Sequence, residues 1–249
     1  MTNLLQLLKS CLSIALLLFF LTASSASAIS NSHGLYTQTA LLHASQPQSG
    51  SIFGRTVAVA GDLIAAGMPG VGTGEAYLFQ RNLGGQDWTE VQRLTASDAQ
   101  NLDRFGWSVA LDGDTLAIGA IWEDGGEGDP LFNTGTVYIY QLDPTGQTWE
   151  QVQILIASDA QPNDNFGGNL ALQGDTLVVG AYNADGGANN ELYDSGAVYI
   201  FQRDPLSLTW HETQILQASD AQAYDSFGRM VGISGDWIIV GAPDEDGGQ

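Results

Sequence analysis

The sequence predicts an all-β fold built from repeated four-stranded units, and three observations support this. The pair Phe-Gly occurs four times, beginning at Phe53, Phe105, Phe166 and Phe227, with intervals of 52, 61 and 61 residues. Each Phe is followed by Gly-Asp eight residues later and by another glycine fourteen residues later. Segments rich in β-branched and aromatic residues recur between these markers, and none shows a helical period. Four copies of the same motifs at the same internal spacing indicate a repeat architecture.

Each repeat is predicted to contain four short antiparallel strands. Strand one runs from Phe-Gly to Gly-Asp, a pair suited to a two-residue hairpin turn because glycine adopts a positive φ at little cost. Strand two is short and apolar, as in residues 177–179, and strand three is aromatic and β-branched, as in residues 136–140. Strand four begins at an aromatic residue seventeen positions before the next Phe, as in residues 149–155.

Four-stranded units of this size are typical of propeller blades. One blade cannot cover both of its own faces, so neighbouring blades must stack around an axis. We expect the Phe of each Phe-Gly to fill the layers between blades and the glycine beside it to allow close backbone approach.

The order of the segments predicts about three and a half blades. The predicted regions are a lone outer strand with its loop, three complete blades and a partial fourth blade, at residues 36–52, 53–94, 105–155, 166–216 and 227–249. Such a ring is incomplete. We expect a truncated reading frame, since an open sheet edge promotes aggregation; a gapped four-bladed ring and a dimer with shared edges remain alternatives.

Residues 1–28 have the layout of a secretory signal peptide, and residues 29–249 hold the repeats. Lys9 supplies a positive charge, residues 12–21 are almost entirely apolar, and Ala-Ser-Ala ends at Ala28. A run of this length is short for a membrane span, so we expect export with cleavage after Ala28. Cys11 is lost with this segment, which leaves no disulfide. The predicted location is secreted, extracellular or at the cell surface.

The mature chain is strongly acidic. Once Lys9 is removed, six arginines face 28 acidic residues, which leaves a formal charge of −22. Such a surface repels phosphate backbones and anionic lipids. We therefore expect no nucleic-acid partner and no membrane insertion.

These repeats resemble the FG-GAP repeat family, the blade type of integrin α-chain propellers and of many bacterial secreted proteins. The copy at residues 227–243 carries both motifs that define the family, Phe-Gly and Gly-Ala-Pro. Copies two and three keep Gly-Ala, copy one has Gly-Met-Pro, and the resemblance spans residues 36–249. It implies a ring of about seven blades and an extracellular role in adhesion or binding.

The integrin calcium loop is not carried over, because a tight Gly-Asp turn replaces it in every copy and cannot surround Ca²⁺ with six or more oxygens. A second acidic place is the connection between strands two and three. Its candidate calcium ligands are Asp124, Glu127, Asp129, Asp185, Asp244 and Asp246. Their irregular spacing also fits solvated turns. The chain is therefore expected to be calcium-free or weakly calcium-binding.

Paired aspartates five residues apart precede the last three Phe-Gly copies. The pairs are Asp98 and Asp103, Asp159 and Asp164, and Asp220 and Asp225. We interpret them as Asx-type turn residues.

The sequence predicts a binding module and not an enzyme. His33, His43 and His211 do not recur at equivalent positions, and no nucleophile elbow or phosphate-gripping loop is present. Asymmetry between copies in a central funnel would favour catalysis instead.

Aromatic residues on the variable loops are the predicted partner contacts, because exposed aromatics anchor interfaces. They are Trp122, Phe132, Tyr182 and Tyr193. The expected partner is an extracellular protein or a glycan. A carbohydrate-binding lectin is the alternative function, followed by a hydrolase.

Overall fold

The computed structural model describes residues 26–32, 35–85, 87–125, 131–186 and 190–245. Within these ranges the chain forms β-strands and turns without any helix. Three four-stranded sheets and two two-stranded sheets are present, all antiparallel.

Each complete four-stranded sheet is one blade, with its strands in chain order. Blade 1 comprises β3 (Val57–Ala60), β4 (Leu63–Met68), β5 (Glu75–Arg81) and β6 (Trp88–Leu94). Blade 2 comprises β7 (Phe105–Asp112), β8 (Thr115–Ala120), β9 (Thr136–Leu142) and β10 (Trp149–Leu155). Blade 3 comprises β11 (Asn169–Gln173), β12 (Thr176–Ala181), β13 (Ala197–Arg203) and β14 (Trp210–Leu216). Half-blade 4 comprises β15 (Met230–Ser234) and β16 (Trp237–Gly241).

The predicted all-β class, strand order and incomplete propeller of about three and a half blades are confirmed. The first strand of each unit contacts the first strand of the next, so β3, β7, β11 and β15 form an inner series. The Gly-Asp pair is the whole turn after each inner strand, as the pairing of Ala60 with Leu63 and of Asp112 with Thr115 requires.

Phe53, Phe105 and Phe166 fill three equivalent layers, as predicted. Each ring is almost fully buried and packs edge-to-face on two aromatic rings of the third strand of its own blade. For Phe166, these are Tyr199 and Phe201, with ring centroids 5.2 and 6.0 Å away. The last strand of the preceding blade adds an aliphatic side chain, such as Leu155 beside Phe166.

Glycine pairs bring neighbouring blades into backbone contact. A Cβ added at Gly180 would lie 2.0 Å from the carbonyl oxygen of Gly228 in the next Phe-Gly copy. Gly119 stands in the same relation to Gly167, at 2.3 Å. Any larger residue there would force the blades apart.

The outer strands are joined by a repeated side-chain clamp. The Gln153 amide donates to the carbonyl of Trp210 and accepts from its N–H, with both bonds 2.8 Å long. Gln92 makes the same pair of bonds to Trp149 one blade earlier. We call these contacts between consecutive units, made by buried rings, glycines and glutamines, the blade seams.

The predicted outer strand at the start of the chain has a partner. β2 (Leu35–Leu42) pairs antiparallel with β1 (Ala26–Ser32), so residues 26–28 of the predicted signal peptide lie beside residues 40–42. Leu42 is buried against Phe53, as Leu94 is against Phe105. The end of β2 therefore does for blade 1 what each fourth strand does for the next blade.

Candidate functional site

The inner strands of all four units line shared cavities at their two ends. The ends that carry the Gly-Asp turns line an open cavity of about 620 Å³, made mainly of apolar and turn residues. The ends that follow Phe-Gly line a second cavity of about 340 Å³, which we call the mouth cavity. Of these two cavities, the mouth cavity has the cationic side chains Arg55 and Arg229 among its described lining residues, and the other has none.

The repeats differ in chemistry at the mouth cavity. The residue two positions after each Phe is Arg55, Trp107, Gly168 or Arg229, and all four line this cavity. The neighbouring Phe-Gly pairs are identical in every copy. Equivalent backbone positions therefore present two cations, one indole and one position without a side chain.

Tyr182 fills the place that the missing side chain leaves. A Cβ added at Gly168 would lie 2.5 Å from the Tyr182 ring. Tyr182 also lines the mouth cavity, and it is half-buried. The cavity is thus bounded by arginine, indole, phenol and arginine from successive units.

Each arginine near the mouth lies over an aromatic ring. The Arg55 guanidinium carbon is 3.4 Å from the centroid of Trp107, and that of Arg229 is 5.1 Å from the centroid of Tyr182. Arg104 lies over Trp122 at 4.4 Å. These distances are those of cation–π contacts.

Arg55 and Arg104 are close enough for their charges to interact. Desolvation lowers the pKa of Arg55, while the Tyr182 phenol acts in the opposite direction and the positive charge of Arg104 lowers it further. Arg104 is held by the carbonyls of Pro69 and Gly70, at 3.3 and 3.2 Å. Arg104 thus adds positive charge from a fixed position.

The four predicted contact residues fall into two groups. Phe132 and Tyr193 lie on the connections between second and third strands and are 63% and 60% exposed. Trp122 and Tyr182 are half-buried beneath Arg104 and Arg229. The structure therefore exposes Phe132 and Tyr193 on these connections and places Trp122 and Tyr182 around the mouth.

The loops that carry Phe132 and Tyr193 are tied to the next unit. The carbonyl of Phe132 accepts from the N–H of Asn163 at 3.0 Å, and that of Tyr193 accepts from the N–H of Tyr224 at 2.7 Å. Tyr224 is itself 62% exposed. Both predicted anchors therefore lie on backbone that is hydrogen-bonded to the segment leading into the next unit.

The acidic connections are shaped by side-chain-to-backbone hydrogen bonds. Asp124 accepts from the N–H of Asn133 at 2.7 Å, and Asp185 accepts from that of Asp194 at 2.9 Å. Asp244 is exposed, and the candidates Glu127, Asp129 and Asp246 lie outside the described residues. Among the residues described, no three acidic, histidine or cysteine side chains are grouped to hold a metal.

The aspartates before Phe-Gly are turn residues. Asp103, Asp164 and Asp225 are buried, and each accepts a hydrogen bond from the N–H three residues earlier. Burial raises the pKa of Asp164 to about 7, the bond from Gln161 opposes this, and the charge of Asp159 adds to it. Asp159 also accepts from the Tyr199 hydroxyl at 2.8 Å.

Sequence reasoning missed Arg55, Arg229 and Trp107. The available signal was the variable position two residues after an invariant Phe, which stands out once the four copies are aligned.

The asymmetry in the central funnel that would favour an enzyme is present. It consists of arginines and aromatic rings, which bind ligands more readily than they exchange protons at neutral pH.

The fold and this arrangement define a repeat protein of the β-propeller class, with repeated seams and a variable mouth. The FG-GAP repeat family matches residues 88–140, 149–201 and 210–249, more than half of the chain. The chain belongs to the FG-GAP repeat family.

The other comparisons add little. No curated protein matches the chain. Among solved structures, Saccharomyces cerevisiae Sqt1 is similar at 11% identity with a TM-score of 0.43, over 70% of this chain and 37% of that one. In the part of the chain that the structure describes, no helix is long and apolar enough to cross a bilayer.

Proposed function

We propose that this FG-GAP protein is an extracellular binding module that adheres to a protein partner through its loop face. The loop face is defined by the exposed residues Phe132, Tyr193 and Tyr224. Large aromatic side chains on fixed backbone supply contact area at a low entropy cost. The observation that carries the proposal is the pair of backbone hydrogen bonds, from Asn163 to Phe132 and from Tyr224 to Tyr193, that fixes these loops.

Binding is favoured over catalysis by the groups that the described residues bring together. His43 and His211 are both exposed, and the one hydrogen bond recorded for either joins His211 to Thr209. General acid–base chemistry needs a base positioned against a substrate in a cleft. Neither histidine lines the mouth cavity or the cavity at its opposite end.

An adhesion assay tests this proposal. Purified protein is measured for binding to immobilised extracellular-matrix proteins, beside the double variant Phe132→Ser, Tyr193→Ser. We expect the wild type to bind. The double variant should lose affinity by about tenfold or more, because it lacks two interface anchors. Leu206→Ser is the matched control, because Leu206 is 93% exposed in the turn between β13 and β14. Equal binding by the double variant would overturn the role of the loop face.

A glycan array separates the lectin alternative. Retention of a defined sugar that Phe132→Ser, Tyr193→Ser abolishes would favour a carbohydrate ligand at the same face. Turnover in a panel of hydrolase substrates would instead overturn the choice of binding over catalysis.

A further inference from the structure

The six arginines of the mature chain divide into two sets of three. Arg81, Arg93 and Arg203 lie on or beside third and fourth strands and pair with carboxylates. Arg203, for example, contacts Asp175 at 2.9 Å. This is the expected arrangement in a chain with 28 acidic residues, where a carboxylate is available to most cations.

The second set is Arg55, Arg104 and Arg229, around the mouth cavity. Among the described residues none of these three has a carboxylate within 4.0 Å. The Nε of Arg104 is also buried, and it has no hydrogen-bond partner among the described residues. Like charges repel one another when no carboxylate lies between them. An anion bound among these three arginines would therefore lower their electrostatic energy.

Aromatic stacking prepares these arginines for a ligand. A guanidinium lying on a ring face keeps its in-plane N–H donors free, and those donors match the oxygens of a carboxylate or phosphate. Arg55 over Trp107 has this placement, and Arg229 is held over Tyr182 on the other side of the same cavity lining.

We infer that the mouth cavity binds a small oxyanion, a ligand that presents a carboxylate or phosphate group to Arg55 and Arg229. Arg104 adds positive charge without lining the cavity. The cavity volume of about 340 Å³ matches a small molecule. A polyanion is disfavoured because the rest of the chain carries a large negative charge. This inference is independent of the adhesive role, which depends on other residues.

Titration calorimetry with inorganic phosphate and with citrate, at constant ionic strength set by chloride, tests the inference. We expect saturable binding of at least one probe. The same probe at about ten times its Kd should raise the Tm by about 3–6 °C, because it binds the native state selectively. Phosphate binding alone identifies a tetrahedral group, and citrate binding alone identifies carboxylates.

Charge-matched variants locate the site. Arg55→Gln and Arg229→Gln should each weaken binding about tenfold or more, as the loss of a charge-assisted contact predicts. Arg81→Gln removes the same charge from the ion pair with Asp62 and should leave binding unchanged. Circular dichroism confirms that each variant is folded before titration.

Three results would overturn the inference: no binding of either probe, equal loss of binding in Arg81→Gln, or full retention in the variant Arg55→Gln, Arg229→Gln. Binding of heparin without binding of phosphate or citrate would also overturn it, because a polyanion does not need this cavity.

Discussion

The blade seams and the mouth cavity are built from the same repeats in opposite ways. At the seams between the complete blades, the same groups recur: a buried Phe such as Phe166, a glycine such as Gly119 and a glutamine such as Gln153. At the mouth, equivalent positions carry different side chains, including Arg55 and Trp107. The repeats therefore agree where they stack and at the Gly-Asp turns, and they diverge at the mouth cavity.

This contrast separates the demands of stability from those of recognition. A blade buries its apolar faces only against its neighbours, so every seam must satisfy the same geometry. A cavity shared by four strands has no such requirement, and one ligand can be contacted by different groups from each unit. Substitutions at the seams should therefore change stability, and substitutions at the mouth should change binding.

The largest effect is expected from loss of a buried ring. Phe166→Ala removes a fully buried side chain that contacts Tyr199 and Phe201, and should lower the free energy of unfolding by about 3–5 kcal/mol. Phe132→Ala, at a 63% exposed ring, should change it by less than about 0.5 kcal/mol. Urea denaturation measures both, and equal losses would contradict the seam account.

A smaller effect is expected from a single methyl group at a glycine contact. Gly180→Ala would place its Cβ 2.0 Å from the Gly228 carbonyl oxygen and should cost about 3 kcal/mol. Gly241→Ala is the matched control at the equivalent repeat position, where the nearest atom, of Met230, is 3.6 Å away. Thermal unfolding should separate the two variants clearly; similar Tm values would show that blade contact does not require glycine.

A pH-dependent effect is expected at Asp164. Because burial raises the pKa of this carboxyl to about 7, the native state holds a proton that the unfolded chain releases near pH 4. The stability that this proton contributes is therefore present at low pH and lost as the pH rises from about 4 to 7. Asp164→Asn should remove that loss and be the more stable variant at pH 8 by on the order of 1–2 kcal/mol.

The control for this prediction is Asp236→Asn, at an exposed carboxylate in a hairpin turn. It should keep the wild-type slope between pH 4 and 7. A wild-type slope in Asp164→Asn would assign the pH dependence to the general acidity of the chain instead.

The seams were predictable from the sequence because they repeat. Phe-Gly and Gly-Asp at fixed spacing predicted the inner strands, their turns and the buried rings. The turns and three buried rings agree with the structure, but β3, β11 and β15 begin three or four residues after the Phe and not at Phe-Gly. The pairing of β1 with β2 was not predicted, since residues 26–28 read as the end of a signal peptide.

The mouth was not predicted because its residues are unremarkable one at a time. Arg55 and Arg229 lie far apart in the chain, and only the stacking of four units brings both to one cavity. Trp122 and Tyr182 were predicted as partner contacts on the variable loops. The sequence alone does not reveal that arginines cover them.

The most direct test of this division is a paired measurement on Gln153→Ala and Arg229→Gln of stability and of affinity for the probe, phosphate or citrate, that binds the wild type. Gln153→Ala removes both bonds to Trp210 on the outer strands and should lower the free energy of unfolding by about 1–2 kcal/mol. The account predicts unchanged affinity for that probe in Gln153→Ala, and a tenfold or greater loss of affinity with nearly unchanged stability in Arg229→Gln. Parallel changes of stability and affinity in both variants would contradict it.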